Sequence, residues 1–85
     1  MTVQGILDCG VIAIIRASES RGLIEAAEAI VAGGVTAVEF TLTTPEAARL
    51  ISEARERLGE RALVGAGTVL SVEQARAVLE AGAQF

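Results

Sequence analysis

Short apolar segments rich in β-branched residues alternate with segments of helical periodicity, and this repeat constrains the fold more than any other feature. Glycines at positions 33, 59 and 82 follow the three helical segments and are suited to end them. Alternating strands and helices at such short intervals predict parallel strands joined by right-handed crossovers. Two architectures fit this pattern, a (β/α)₈ barrel and an open doubly wound sheet.

The local patterns predict the individual elements. Apolar runs predict strands at 11–15, 35–42 and 62–64, a helical turn at 3–8, helices after each strand, and the start of a fourth strand at 84–85. Hydroxyl side chains precede each long helix, and we expect Ser18 or Ser20 to cap the first and Thr44 the second. Ser71 and Gln74 have the spacing of a capping box for the third.

Chain length decides how much of either architecture is present. A (β/α)₈ barrel needs about 250 residues, or about 200 at the lean end, whereas this chain has 85. We therefore expect residues 1–85 to form a single partial domain, the N-terminal three βα units of a TIM barrel plus the start of a fourth strand. The open nucleotide-binding sheet is the weaker alternative, because Leu70 occupies the third glycine position of Gly-x-Gly-x-x-Gly.

Composition excludes several kinds of function. The net charge of −4 argues against a nucleic-acid partner, and no apolar run is long enough to cross a membrane. No basic leader precedes an apolar segment, so we expect a cytoplasmic protein. Cys9 is the single cysteine and histidine is absent, which predicts no disulfide, no metal site and no cofactor held by such residues.

Glu39 is the strongest candidate for chemistry. It lies in an apolar strand segment, where an ionised carboxylate needs a partner, water or a function. Side chains alternate along a strand, so Glu39 and Thr41 share one face while Val38 and Phe40 share the other. The bulky apolar pair should meet the helices, which turns Glu39 toward the barrel interior. The alternative is a carboxylate that reaches solvent or pairs with an arginine.

Two further polar residues follow predicted strands. Arg16 ends the first strand and Thr68 follows the third, so both should lie near Glu39 at the carboxyl ends of the strands, where barrel active sites form. Arg16 is suited to bind a carboxylate or a phosphate. The alternatives are an ordinary ion pair for Arg16 and a turn position for Thr68.

Four motifs carry a family resemblance. They are AGGV at 32–35, EFTLTTP at 39–45, VGAGTVL at 64–70 and EAGAQF at 80–85. In order and spacing they closely resemble the 2-keto-3-deoxy-6-phosphogluconate (KDPG) aldolase family, which includes 4-hydroxy-2-oxoglutarate aldolase activity. The resemblance covers nearly the whole chain. It implies a (β/α)₈ barrel, usually a homotrimer, that cleaves a 2-keto-3-deoxy sugar acid phosphate to pyruvate and glyceraldehyde 3-phosphate.

The resemblance also implies roles for particular residues. Glu39 matches the glutamate that moves protons as general acid and base, and Thr68 matches a threonine that holds the pyruvate carboxylate. Thr43 stands where many members have an arginine that binds this carboxylate, and Arg16 is the expected substitute. The family's chemistry requires a lysine Schiff base, and this chain contains no lysine.

The absence of lysine leaves three hypotheses. The first is the N-terminal part of a pyruvate-releasing aldolase whose lysine lies beyond these residues. The second is a structural or assembly module, a half-barrel without catalysis whose open edges favour self-association. The third is a small-molecule binding domain of the open-sheet type.

Overall fold

The computed structural model describes residues 2–85 and shows helices and parallel strands in alternation. The helices are α1 (Thr2–Cys9), α2 (Leu23–Ala32), α3 (Ala47–Leu58) and α4 (Val72–Ala81). The strands are β1 (Ala13–Ile15), β2 (Ala37–Thr41) and β3 (Leu63–Gly67), and a 3₁₀ turn, Gly59–Arg61, follows α3. The predicted order of elements is confirmed, with α1 a two-turn helix rather than a single turn.

The three strands form one parallel sheet in the order β1-β2-β3. Ile14 and Gly65 are the register partners of Glu39 on either side. The ladder continues past the carboxyl end of β2, where the Leu42 amide donates to the Gly67 carbonyl at 2.9 Å. Consecutive strands are therefore neighbours in space, as the barrel and the open sheet both require at this point of the chain.

One face of the sheet packs against α2, α3 and α4 and forms the hydrophobic core. Val38, Phe40 and Val64 on this face are fully shielded from solvent. The helices contribute Ile24 and Ala27 from α2 and the fully shielded Ile51 from α3, among others. Apolar residues at helical spacing therefore meet apolar residues at strand spacing, which is the arrangement predicted from the two periodicities.

The opposite face, which we call the inner face, is uncovered along β1, whereas Ala37 and Thr41 on β2 are buried. Ile14 on β1 is 62% exposed on this face, and Val11 just before the strand is 53% exposed. The C-terminal residues lie beside β3: the Gln84 amide donates to the Val64 carbonyl, and the Ala66 amide donates to the Phe85 carbonyl. The predicted start of a fourth strand thus has the hydrogen bonds of a parallel neighbour, although it is too short to form a strand.

Two helix caps predicted from the sequence are wrong. Helix α2 begins after Gly22, and α3 begins after Glu46, each in the left-handed backbone conformation without a side-chain cap. The Ser20 hydroxyl instead donates to the Glu46 carboxylate, and Thr44 accepts the Ala17 amide. Partners distant in sequence therefore take the hydroxyl groups that a local rule assigned to the helix ends.

Helix α4 confirms one prediction and corrects another. The Ser71 hydroxyl accepts the Gln74 amide at 3.1 Å, as a capping box requires, while the Gln74 side chain accepts the Leu70 amide rather than that of Ser71. Val72 and Leu79 have the spacing of buried residues, yet they are 69% and 65% exposed. They form a second stripe that the sheet and α3 do not cover. No helix within residues 2–85 has the length and apolar character to cross a bilayer.

Candidate active site

Glu39 lies on the inner face, as the alternation of β2 predicts. Its neighbours Val38 and Phe40 are buried in the core beneath the helices, whereas Glu39 is half-buried on the other side of the sheet. The carboxyl group leans over Gly67: a Cβ atom on that glycine would lie 2.6 Å from Glu39 Oε1 and 2.9 Å from Cδ. The carboxylate therefore occupies the space that a side chain at position 67 would fill.

The surroundings of Glu39 leave its carboxylate available. Within residues 2–85 it makes no hydrogen bond and no ion pair, so the alternative of an arginine partner is wrong for the described chain. Gly65 is the register partner of Glu39, and the Phe85 ring lies over it. A Cβ atom on Gly65 would lie 2.6 Å from that ring. Both carboxyl oxygens of Glu39 lie close to Gly67, since a Cβ atom there would be 2.6 Å from Oε1 and 3.4 Å from Oε2.

Arg16 follows β1 at the same carboxyl edge of the sheet. Ile15 before it is buried in the core and aligns with Phe40, and Arg16 is the first residue after the strand. Its side chain is exposed and makes no ion pair within residues 2–85, so the guanidinium is free to bind an anion there. The ordinary rim ion pair that was its alternative is not formed in the described chain.

Thr68 follows Gly67 at the end of β3 and has an uncommon backbone conformation. Its φ angle is +60°, in the left-handed region, and its side chain is exposed. For a β-branched residue this conformation costs about 1–3 kcal/mol. Strained residues of this kind cluster at functional sites, which favours a role for Thr68 beyond that of a turn residue.

Thr43 belongs to a group of three threonine hydroxyls at the end of β2, which we call the threonine cluster. Thr41 Oγ1 lies 3.0 Å from Thr43 Oγ1 and 3.2 Å from Thr44 Oγ1. Thr41 and Thr44 are each only 2% exposed, whereas Thr43 is exposed. Thr44 Oγ1 also accepts the Ala17 amide at 3.2 Å, which joins the loop after β1 to the loop after β2.

A second contact joins the same two loops farther from the sheet. The Ser20 hydroxyl donates to Glu46 Oε2 at 2.7 Å, and Arg49 Nε donates to Glu46 Oε1 at 2.9 Å. The Ser20 hydroxyl and then the Arg49 guanidinium lower the pKa of Glu46 below its ordinary value. Glu46 itself has a φ angle of +60°, so these contacts hold a non-glycine residue in a left-handed turn.

Arg16, Thr43 and Thr68 thus follow the carboxyl ends of three neighbouring parallel strands, and Glu39 lies near the end of the middle strand. Sequence reasoning missed two contributors, Gly67 under the carboxylate and Thr44 between the loops. The small residues at 65–67 were a signal that something approaches the strand closely, but they did not identify Glu39 as the neighbour. A cleft of about 230 Å³ lies instead at the amino end of β2 and β3, lined by Gly5, Thr36 and residues 60–63.

Known proteins are similar to this chain in sequence and in fold. The family model described as KDPG and KHG aldolase matches residues 4–85. The KHG/KDPG aldolase of Escherichia coli (strain K12) is 41% identical over 85 residues, which is 99% of this chain and 39% of that protein. The 2-dehydro-3-deoxy-phosphogluconate aldolase of Zymomonas mobilis is 48% identical over 59 residues, which is 69% of this chain and 27% of that protein.

Solved structures agree with these relatives. The crystal structure of 2-keto-3-deoxy-6-phosphogluconate aldolase from Zymomonas mobilis ATCC 29191 superposes with a TM-score of 0.71 at 38% identity, over 87% of this chain and 34% of that one. A cube-shaped protein cage designed by fusing symmetric oligomeric domains gives 0.77 at 36% identity, over 86% of this chain and 27% of that one. The chain spans little more than a third of its E. coli relative, and it belongs to the KDPG and KHG aldolase family.

Proposed function

We propose that residues 1–85 act as the N-terminal part of a (β/α)₈ aldolase that cleaves 2-keto-3-deoxy-6-phosphogluconate to pyruvate and glyceraldehyde 3-phosphate. The observation that carries the proposal is the Glu39 carboxyl group on the inner face, over Gly67 and without a partner in the described chain. Family membership supports the reaction class. By the same resemblance we expect a cytoplasmic homotrimer with no cofactor.

The chemistry needs an amine that these residues do not contain. Because the chain has no lysine, a lysine outside residues 1–85 would form the imine with the C2 carbonyl of the substrate. The protonated imine accepts the electron pair released when the C3–C4 bond breaks. Residues 1–85 would then supply the proton transfers and hold the carboxylate.

Glu39 would perform the proton transfers. Its carboxylate takes the proton of the C4 hydroxyl as the C3–C4 bond breaks, which releases the aldehyde and leaves an enamine. The carboxyl group then returns a proton to C3, and hydrolysis of the resulting imine frees pyruvate and the lysine. An open, unpaired carboxylate suits both steps, because it can accept a proton and give it back.

Arg16, Thr43 and Thr68 would bind the C1 carboxylate. The proposal is supported by their positions, since each follows the carboxyl end of a strand, and by the exposed guanidinium of Arg16, which carries the positive charge that a carboxylate needs. A charge-assisted hydrogen bond from Arg16 would fix the keto acid with its C2 carbon facing the inner side. The two hydroxyls would add neutral hydrogen bonds to the same group.

A chimeric protein tests the proposal. Residues 1–85 would replace the matched segment of the E. coli KHG/KDPG aldolase, and we call this protein the chimeric aldolase. It should release pyruvate from the substrate and form a covalent adduct when borohydride is added with pyruvate. Residues 1–85 alone should form no adduct at a lysine. A correctly folded chimeric aldolase that neither releases pyruvate nor forms the adduct would contradict the proposal.

The exposed inner face favours a second candidate, an assembly module without catalysis. Ile14 and Val11 are 62% and 53% exposed, and the edge of β1 has no neighbour in the described chain. Uncovered apolar strands promote association between copies. Size-exclusion chromatography of residues 1–85 separates the two: defined oligomers together with an inactive chimeric aldolase would favour assembly as the function.

A further inference from the structure

The threonine cluster contains the two buried polar side chains of the described chain, and their hydrogen bonds have a preferred direction. Thr44 Oγ1 accepts the Ala17 amide, and within residues 2–85 the partner left for its own proton is Thr41 Oγ1. A buried hydroxyl whose proton has no acceptor is unfavourable. The Thr44 hydroxyl therefore donates to Thr41.

The same argument applies one step farther along the cluster. With Thr44 as its donor, Thr41 has a proton of its own to place, and Thr43 Oγ1 is the acceptor 3.0 Å away. Thr41 is 2% exposed, so water does not easily replace this acceptor. The chain of donors then runs from the Ala17 amide through Thr44 and Thr41 to Thr43. The exposed Thr43 hydroxyl accepts from inside and has its proton free to point outward.

The other end of the chain of donors fixes Arg16. The amide that Thr44 accepts belongs to the peptide group that joins Arg16 to Ala17. A hydrogen bond to this peptide restrains the backbone on which the Arg16 side chain is mounted. The cluster thus connects two residues that the proposed function assigns to one carboxylate.

We infer that Thr44 and Thr41 are positioning residues that hold the Arg16 loop at the end of β2 and direct the Thr43 hydroxyl proton toward the carboxylate of a bound keto acid. The inference rests on the proposed function. It also explains how a threonine serves at position 43: a neutral hydroxyl polarised by two others donates there, while Arg16 supplies the positive charge.

The first test needs no substrate. Hydrogen exchange of the Ala17 amide, followed by NMR in residues 1–85, should accelerate about tenfold in Thr44→Val, which keeps the shape and removes the acceptor. Thr44→Ser restores the hydroxyl and should restore protection. Thr36→Val, at the opposite end of β2, is the matched control. An unchanged exchange rate of the Ala17 amide in Thr44→Val, with the fold intact, would contradict the inference that Thr44 restrains the loop after β1.

The second test uses the chimeric aldolase. Thr44→Val should raise KM for the keto acid about tenfold with kcat within about twofold, and Thr44→Ser should restore KM. Equal KM values in Thr44→Val and in the parent would overturn the inference. A chimeric aldolase that releases no pyruvate at all would instead defeat the proposed function, and the direction of Thr43 toward a keto acid with it. Ala17 exchange would still decide whether Thr44 fastens the loop.

Discussion

The two faces of the sheet are built from the same strands but differ in burial and in the side chains they carry. On the helix-covered face, Val38, Phe40 and Val64 are fully shielded and pack against three helices. On the inner face, glycines at 65 and 67 leave room for the Phe85 ring and the Glu39 carboxylate, and Ile14 is open to solvent. Because side chains alternate along a strand, residues that stabilise the core and the candidate catalytic Glu39 are immediate neighbours in the sequence. Substitutions on the two faces should affect different measurements.

The largest effect on stability should come from the helix-covered face. Phe40→Ala removes a fully shielded ring and should lower the free energy of unfolding by about 3–5 kcal/mol. Ile14→Ala on the inner face is the matched control and should change it by less than about 0.5 kcal/mol. Urea unfolding of residues 1–85 measures both. A comparable loss for Ile14→Ala would mean that the inner face is covered in solution, as the assembly alternative requires.

A large effect on activity without loss of fold should come from Gly67→Ala, which leaves Glu39 itself in place. The added Cβ atom would meet Glu39 Oε1 at 2.6 Å, so the carboxyl group must move. Displacement by about 1 Å can cost about a hundredfold in rate, and we expect a fall in kcat of this order in the chimeric aldolase. Gly33→Ala is the control, because its Cβ atom would make no contact shorter than 3.4 Å. An unchanged kcat in Gly67→Ala would show that catalysis does not depend on the position of the Glu39 carboxylate over Gly67.

A smaller effect should separate stability from binding at Thr68. Thr68→Gly removes the steric strain of the +60° φ angle and should raise the free energy of unfolding by about 1 kcal/mol. The loss of the hydroxyl should also raise KM for the keto acid. Thr68→Ala keeps the Cβ atom and should raise KM without the gain in stability. A destabilised Thr68→Gly would show that its conformation is not strained.

The smallest effect concerns the outer contact between the loops. The Ser20 hydroxyl, followed by Arg49, lowers the pKa of Glu46 from its ordinary value of about 4.5. A lowered carboxyl pKa stabilises the fold at any pH above the ordinary pKa of the group. This stabilisation disappears as the pH falls through the lowered pKa. In Glu46→Gln, the free energy of unfolding should therefore fall slightly less steeply as the pH is lowered through the acid range. Ser20→Ala should show much of the same effect. An identical pH dependence in the unsubstituted chain, Glu46→Gln and Ser20→Ala would contradict the prediction.

Local patterns predicted the alternation of helices and parallel strands and the sheet face on which Glu39 lies, because strand alternation and helical periodicity depend on neighbouring residues only. They failed where partners lie far apart in sequence. Ser20 and Thr44 have the chemistry of helix caps, yet their hydroxyls bond to Glu46 and Ala17 across the loops. The contact between Gly67 and Glu39 likewise depends on the register of β2 and β3, which no single segment reveals. The second apolar stripe of α4, Val72 and Leu79, has no covering element within residues 2–85.

Exchange of the pyruvate methyl protons with D₂O tests the acid/base role of Glu39 most directly. In the chimeric aldolase, Glu39→Gln should still form the borohydride-trapped adduct with pyruvate, because the imine does not need this carboxylate. The rate of methyl exchange should nevertheless fall by about 10²–10⁴, since no group then removes and returns the proton. Exchange in Glu39→Gln at the rate of the unsubstituted chimeric aldolase would show that another residue moves the proton.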